Sequence, residues 1–338
     1  MLCISGRASW GRYSLPLANR RNLQRKRSVG PIRSTPITLG QRSNLDIWQA
    51  LARQQCSEAP SLQMSDLARK VEQVLLQMGA SFFDEILRHS GLLRAQLEEA
   101  LAELVSLGRV SSDSFTGLRA LLMSSKHKNR AHRRRGGRTM FGLEDAGRWS
   151  LLDTFQQEHS EPAIADKAPG QVLDDEQLKR LVAIYLQRWG VLSRAVIDRE
   201  SLAPPWRVLL PVLRRMELQG SLRGGRFIAG IGGEQFAEQD SVEALRKLNK
   251  EQQNADRPYY CVAAVDPVNL VNLLLPARKL ARLAGNRVLY QGGIPVAMLE
   301  AGEVHFLRKT ESDEQWSLQQ MLLKRVYPPA LRSYIGKH

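Results

Sequence analysis

Between Leu67 and Leu104 the apolar residues recur every three to four positions. Leu67, Val71, Val74, Leu75 and Met78 line one face of a helix that Gly79 closes, where a left-handed C-terminal cap is needed. The stretch FFDEILRHS predicts a short second helix, closed by Gly91. Leu93, Leu97, Ala100, Leu101 and Leu104 mark a third, ended at Gly108. RVSSDSF then begins an alternating, extended pattern. The whole pattern recurs when residues 67–115 are set beside 178–227. Gly79 matches Gly190, Gly108 matches Gly220, and Phe115 and Phe227 each fall seven residues after the second glycine. In the second copy Leu178, Val182, Tyr185 and Leu186, then Val196 and Ile197, then Leu209, Val212, Leu213 and Met216 carry the apolar faces. Three helices followed by a β-hairpin is the winged-helix layout. Pro211 interrupts the third helix of the second copy and predicts a kink or a late helix start.

Beyond Glu251 the pattern changes to short β-branched runs. YYCVAAVDP (259–267) is one, and RVLYQGGIPVAMLEAGEVHFLR (287–308) holds three, parted by Gly292–Gly293 and Ala301–Gly302, a β-meander. The expected fold class is therefore α+β: two winged-helix modules, 61–122 and 175–250, followed by a small α/β C-terminal piece, 251–338. Residues 123–174 read as a linker. SSKHKNRAHRRRGGR (124–138) has Ala131 as its one apolar residue and cannot offset its own ordering entropy. Within that linker GRWSLL (147–152) is an apolar island expected to dock on a neighbouring domain. Residues 1–60 read as an extended basic connector. The first 45 residues hold no Asp or Glu, as in a transit peptide, but Gly30, Pro31 and Pro36 and the lack of an amphipathic period favour the connector.

Charge narrows the partner. Lys and Arg number 49 against 34 Asp and Glu, giving +15 and a pI near 10.1. Nucleic acid is the first candidate, because phosphates reward dispersed cations with counterion release. The basic residues do not oppose a strong apolar face, and no run approaches the ~18–20 apolar residues of a membrane span, so no membrane partner is expected. Cys3, Cys56 and Cys261 are far apart without a C-x-x-C, which fits a reducing, cytoplasmic setting and predicts no metal site.

The glycine-rich stretch RGGRFIAGIGGEQFA (223–237) invites a nucleotide-binding reading and fails it. Gly225 and Gly230 have P-loop spacing, but Ile231 stands where Lys is required. Gly230 and Gly232 open a dinucleotide fingerprint, but position 235 is Gln. No G-x-S-x-G or H-E-x-x-H occurs, and Asp84 and Asp266 are acid/base groups only by default, so no catalytic residue and no cofactor is expected. Gly224 and Gly225 read instead as the tight turn of the second wing, flanked by Arg223 and Arg226. The third helix and wing of the second copy present Trp206, Arg207, Arg214, Arg215, Arg223 and Arg226; the corresponding helix of the first carries Glu98, Glu99 and Glu103. The second copy is thus expected to touch nucleic acid and the first to pack on protein. Trp206 has two open readings, stacking on a base or anchoring a core. Arg133, Arg134 and Arg135 either trail a phosphate backbone or belong to a solvated linker.

The blocks SFFDEILRHSGLLRAQLEEALAELVSLGRVSSDSFTGLRALL, GRWSLL, RWGVLSRAVIDRESLAPPWRVLLPVLRRMELQGSLRGGRFIAGIGGEQFA and AAVDPVNL resemble the region downstream of the motor in Lhr (large helicase-related) proteins, bacterial DNA-repair helicases. The resemblance runs from about Pro31 to about Phe306. It implies ATP-dependent 3′-to-5′ translocation by two RecA-like domains, followed by a winged helix and a C-terminal domain. In long forms there is also a region related to winged-helix DNA glycosylases. The motor motifs are absent from these residues, so ATP and Mg would enter only through a motor domain elsewhere. The expectation is a fragment, or the product of a split gene whose motor is another polypeptide, that clamps DNA or RNA behind that motor. The alternatives are a monofunctional glycosylase removing a damaged base and an inactive truncated relic.

Overall fold

A computed structural model of the chain describes residues 7–13, 37–57, 64–122, 147–152, 173–251, 257–275 and 279–324. These fall into two compact units, Met1–Ala183 with Glu200–Val212, and Ile184–Arg199 with Leu213–His338. No helix among the described residues is long and apolar enough to cross a membrane.

The first unit begins with an antiparallel pair, β1 (Ala8–Gly11) and β2 (Thr38–Gln41), followed by α1 (Leu45–Ser57). The connector expected over 1–60 is, where described, packed structure. Trp10 is fully buried, the Ser111 hydroxyl donates to its carbonyl at 2.5 Å, and the buried Arg12 guanidinium donates to the Ser106 carbonyl. A lone Trp among polar residues shows no periodicity, yet its burial is large enough to fix a strand.

Next come α2 (Asp66–Met78), β3 (Ser81–Phe82), α3 (Phe83–Ser90), α4 (Arg94–Ser106) and β4 (Val110–Ser112). Ser65 caps α2, its hydroxyl accepting from Ala68 N at 3.2 Å. The Glu103 carboxylate accepts in turn from Ser65 N and Oγ, at 2.8 and 2.5 Å. Phe115 opens a helix, α5 (Phe115–Leu122), and continues no strand. The partner of β4 is GRWSLL: Arg148–Leu151 form β5, which pairs with both β3 and β4. The island expected to dock on a neighbouring domain is thus the middle strand of this sheet. Trp149 is fully buried in one core with Val71, Leu75, Ile86, Leu97 and Leu101. The sequence could not assign it, because 35 residues part the two strands.

Helix α6 (Asp175–Trp189) runs from the first unit into the second. It is followed by β6 (Val191–Leu192) and a one-turn helix, α7 (Arg194–Ile197). Helix α8 (Trp206–Leu218) runs likewise, and β7 (Arg223–Gly225), β8 (Gln235–Ala237) and α9 (Gln239–Glu251) complete the second copy. Its sheet order is β6-β8-β7, first–last–middle, the order of β3-β5-β4 in the first copy. The glycines that anchored the repeat all take positive φ: Gly79 +76°, Gly108 +72°, Gly190 +70° and Gly220 +78°. Pro211 does not break α8. It is exposed, where water can serve the carbonyl its missing N–H leaves open.

The chain then forms an antiparallel sheet in the order β12-β11-β10-β9, from β9 (Tyr259–Ala263), β10 (Arg287–Gln291), β11 (Ile294–Glu300) and β12 (Glu303–Phe306). A short helix, α10 (Val271–Leu274), lies between β9 and β10, and α11 (Ser312–Leu323) closes the described chain. Leu289, Ala297 and Leu299 on one face pack with Leu318 and Leu322, while Val288, Tyr290 and Met298 on the other pack with Ala264, Val271 and Leu280. Behind Tyr290 lies a polar knot. Its hydroxyl donates to Asn269 Oδ1 at 2.8 Å, Asn269 Nδ2 donates to the Ala263 carbonyl at 3.1 Å, and Arg199 Nη2 donates to the Asn269 carbonyl at 2.9 Å. Burial pushes the Tyr290 phenol up to about 12.

Candidate nucleic-acid interface

The second unit takes the C-terminal half of α8, whose buried edge includes Leu213 and whose exposed edge carries Arg214, Arg215, Glu217 and Leu218. The helix stops cleanly: Gly220 N donates to the Glu217 carbonyl and Ser221 N to the Met216 carbonyl, both at 2.9 Å. The chain turns into β7, all three residues of which are exposed.

The wing differs from the one expected. Gly224 and Gly225 lie within β7, paired with Phe236 and Gln235, and the loop is Arg226–Glu234. A neighbour comes close to Gly224: its N donates to Glu217 Oε1 at 3.0 Å, and a Cβ there would push that exposed carboxylate aside. Gly224 thus lies in a strand beside an acid and not in a turn.

The loop is held by Gln235, which is fully buried. Its Oε1 accepts from Phe227 N and Ile228 N, both at 2.9 Å, and its Nε2 donates to the carbonyls of Ile228 at 3.0 Å and Ile231 at 2.9 Å. A single amide serves two backbone donors and two acceptors, which only an Asn or Gln side chain can do. Beneath it Val191, Ala237 and Val242 form a small core with Phe227, Ile228 and Leu245.

The arginines divide by what they touch. Arg214 grips Glu234 from both nitrogens, with Nη2 at 3.0 Å from each carboxylate oxygen. Both side chains are about half exposed, so the pair is solvated and exchangeable. Arg223 Nε donates to Gln239 Oε1 at 3.0 Å, and Gln239 donates to Glu243 at 2.7 Å. Arg215 and Arg226 are exposed, and Arg226 has no ion-pair partner among the described residues. Over 213–234 four arginines face two glutamates, a surplus of two positive charges on one helix end and one wing.

The other sequence candidates scatter. Trp206, half-buried, and Arg207, exposed, start α8 within the first unit. Arg133, Arg134 and Arg135 lie outside the described residues. Asp84 sits exposed in the first turn of α3 in the first unit. Asp266, exposed in the second, holds a turn, its Oδ1 accepting from Val268 N at 3.0 Å. The residues that shape the wing, Glu217, Glu234 and Gln235, were not singled out by the motifs. One signal was present: Gln235 is the residue that spoiled the dinucleotide fingerprint. The arrangement presents a surplus of cations on one exposed surface.

The large helicase-related protein winged-helix domain matches residues 171–257, which contain this helix and wing. The chain is similar to the Lhr helicase/uracil glycosylase of Escherichia coli, 31% identical over 287 residues, covering 76% of this chain and 18% of that protein. It is also similar to the Lhr helicase/probable uracil glycosylase of Mycolicibacterium smegmatis, 28% identical over 293 residues, covering 78% of this chain and 18% of that protein. The chain therefore spans about 18% of the length of these relatives.

Proposed function

Because the chain belongs to the Lhr (large helicase-related) family, we propose that it is a nucleic-acid-binding accessory region of an Lhr-type DNA-repair helicase, holding DNA behind a motor carried on another segment or polypeptide. One observation carries this reading. Arg214, Arg215, Arg223 and Arg226 are all exposed on one helix end and wing, inside the stretch that matches the family's winged-helix domain. In such domains the third helix enters a groove and the wing follows the backbone. The repeat extends the reading to the first copy, as a second winged module whose task is packing on protein.

Binding of labelled single-stranded and forked DNA, measured by anisotropy across salt, tests it. Four phosphate contacts on a single strand predict a log–log slope of about −3. Reversing three of them, with Arg214→Glu, Arg223→Glu and Arg226→Glu together, is expected to weaken binding by at least about 100-fold. Affinity indifferent to salt, or intact in that variant, overturns the reading. The names of both relatives support a second one, base excision. Incubation with a uracil-containing oligonucleotide followed by alkali tests it: strand cleavage favours it, and an intact strand removes it.

A further inference from the structure

Leu218 is the last residue of α8 and is 89% exposed. A single exposed leucine is ordinary on a protein surface. Its surroundings are not. Helical spacing puts it one turn beyond Arg214 and Arg215. Arg214 and Arg215 flank it on the helix surface, both exposed, and Arg214 reaches the wing loop through Glu234. Leu218 therefore stands between two cations at the helix end, away from the face that Leu209, Val212 and Leu213 bury. Its backbone is fixed by the Gly220 and Ser221 bonds that close the helix.

We infer that Leu218 is a wedge that enters an opened base step, and that the substrate of this surface is DNA with a duplex end or junction, not continuous duplex. The inference rests on the nucleic-acid reading above. Guanidinium groups draw phosphates to this helix end, and an apolar side chain gains nothing from a phosphate. Its available gain is burial against the face of a base. In a stacked duplex those faces are covered, so the contact forms where a step is already open or is pried apart, as apolar wedges do elsewhere. The helix end and wing supply the backbone contacts, and Leu218 supplies the preference for structure.

The test uses the full chain and a fork carrying 2-aminopurine at its junction, beside a blunt duplex of equal length. The wild type is expected to bind the fork roughly 10-fold more tightly and to raise 2-aminopurine fluorescence several-fold as the base unstacks. Leu218→Ala, which removes no core contact, is expected to melt like the wild type. It should keep the salt slope and its duplex affinity within about twofold, and lose both the fork preference and the fluorescence rise. Leu218→Arg adds a cation and is expected to bind both DNAs more tightly with no rise. An unchanged fork preference and fluorescence rise in Leu218→Ala sinks the wedge alone. Absence of salt-dependent binding by the wild type sinks the nucleic-acid reading, and the wedge with it.

Discussion

The two copies share strand order and anchor glycines, but they close their sheets differently. In the first, β5 returns after 35 residues and is held by burial, with Trp149 fully enclosed. In the second, β8 returns after the nine residues 226–234; Phe236 and Ala237 are buried there too, and Gln235 adds four hydrogen bonds to the loop. Closing the longer loop costs only about 1 kcal/mol more, and burying a Trp side chain offsets that severalfold. The acids diverge too. Glu103 fixes the start of α2 and Glu98 pairs with Arg94 at 3.5 Å, both inside the first copy, whereas Glu217 and Glu234 both meet the second wing. One frame is thus finished as core and the other as a presented edge. A repeat predicts shared backbone, and the residues filling its gaps decide what each copy can do.

Three changes probe that contrast, and a fourth, at Tyr290, probes the sheet that follows the second copy. Trp149→Ala should have the largest effect, about 3–5 kcal/mol by chemical denaturation, with loss of protection in β3 and β4 by hydrogen exchange. If it costs less than 1 kcal/mol, burial does not hold the first sheet. Gln235→Leu should cost about 2–3 kcal/mol, because Phe227 N and Ile228 N lose their acceptor, and proteolysis should open the wing while the first unit stays protected. Uniform protection in that variant would show that the apolar residues alone hold the loop.

Tyr290→Phe should cost about 1 kcal/mol at neutral pH, through the bond to Asn269. The phenol is pushed from its ordinary 10 up to about 12. With the folded value raised, the stability it contributes is complete below pH 10 and is lost as pH climbs toward 12, because the unfolded chain ionises first. The variant should lack that alkaline decline, and an unchanged decline assigns it to other groups. Glu234→Gln should be smallest, strengthening DNA binding by roughly 3–5-fold and steepening the salt slope by about 0.7, as Arg214 is released to phosphate. Weaker binding would mean that Glu234 positions Arg214 for its ligand.

Helices, anchor glycines and the C-terminal meander were legible because each rests on local pattern: apolar spacing, a glycine stop, a Gly–Gly break. The turn at Gly292–Gly293 lies between β10 and β11 with φ of +57° and +84°, as a two-residue hairpin requires. The same logic failed at Gly224–Gly225, which lie within β7 and make no turn. It failed again for Trp10 and Trp149, whose partners are remote in sequence. Of the candidate interface, the arginines were legible from charge. Their partners, Glu234 and Gln239, were not, because a hydrogen-bonded surface residue looks like any other polar residue.

The two tethers between helix and wing, Arg214 to Glu234 and Glu217 to Gly224 N, flank the loop that Gln235 fills from within. Left slack, nine loop residues would each surrender about 1–2 kcal/mol of backbone freedom when a ligand ordered them. Here folding has already absorbed that loss, on the order of 10 kcal/mol. If DNA is the ligand, as proposed, the surface meets it preorganised, and association retains more of each contact it makes.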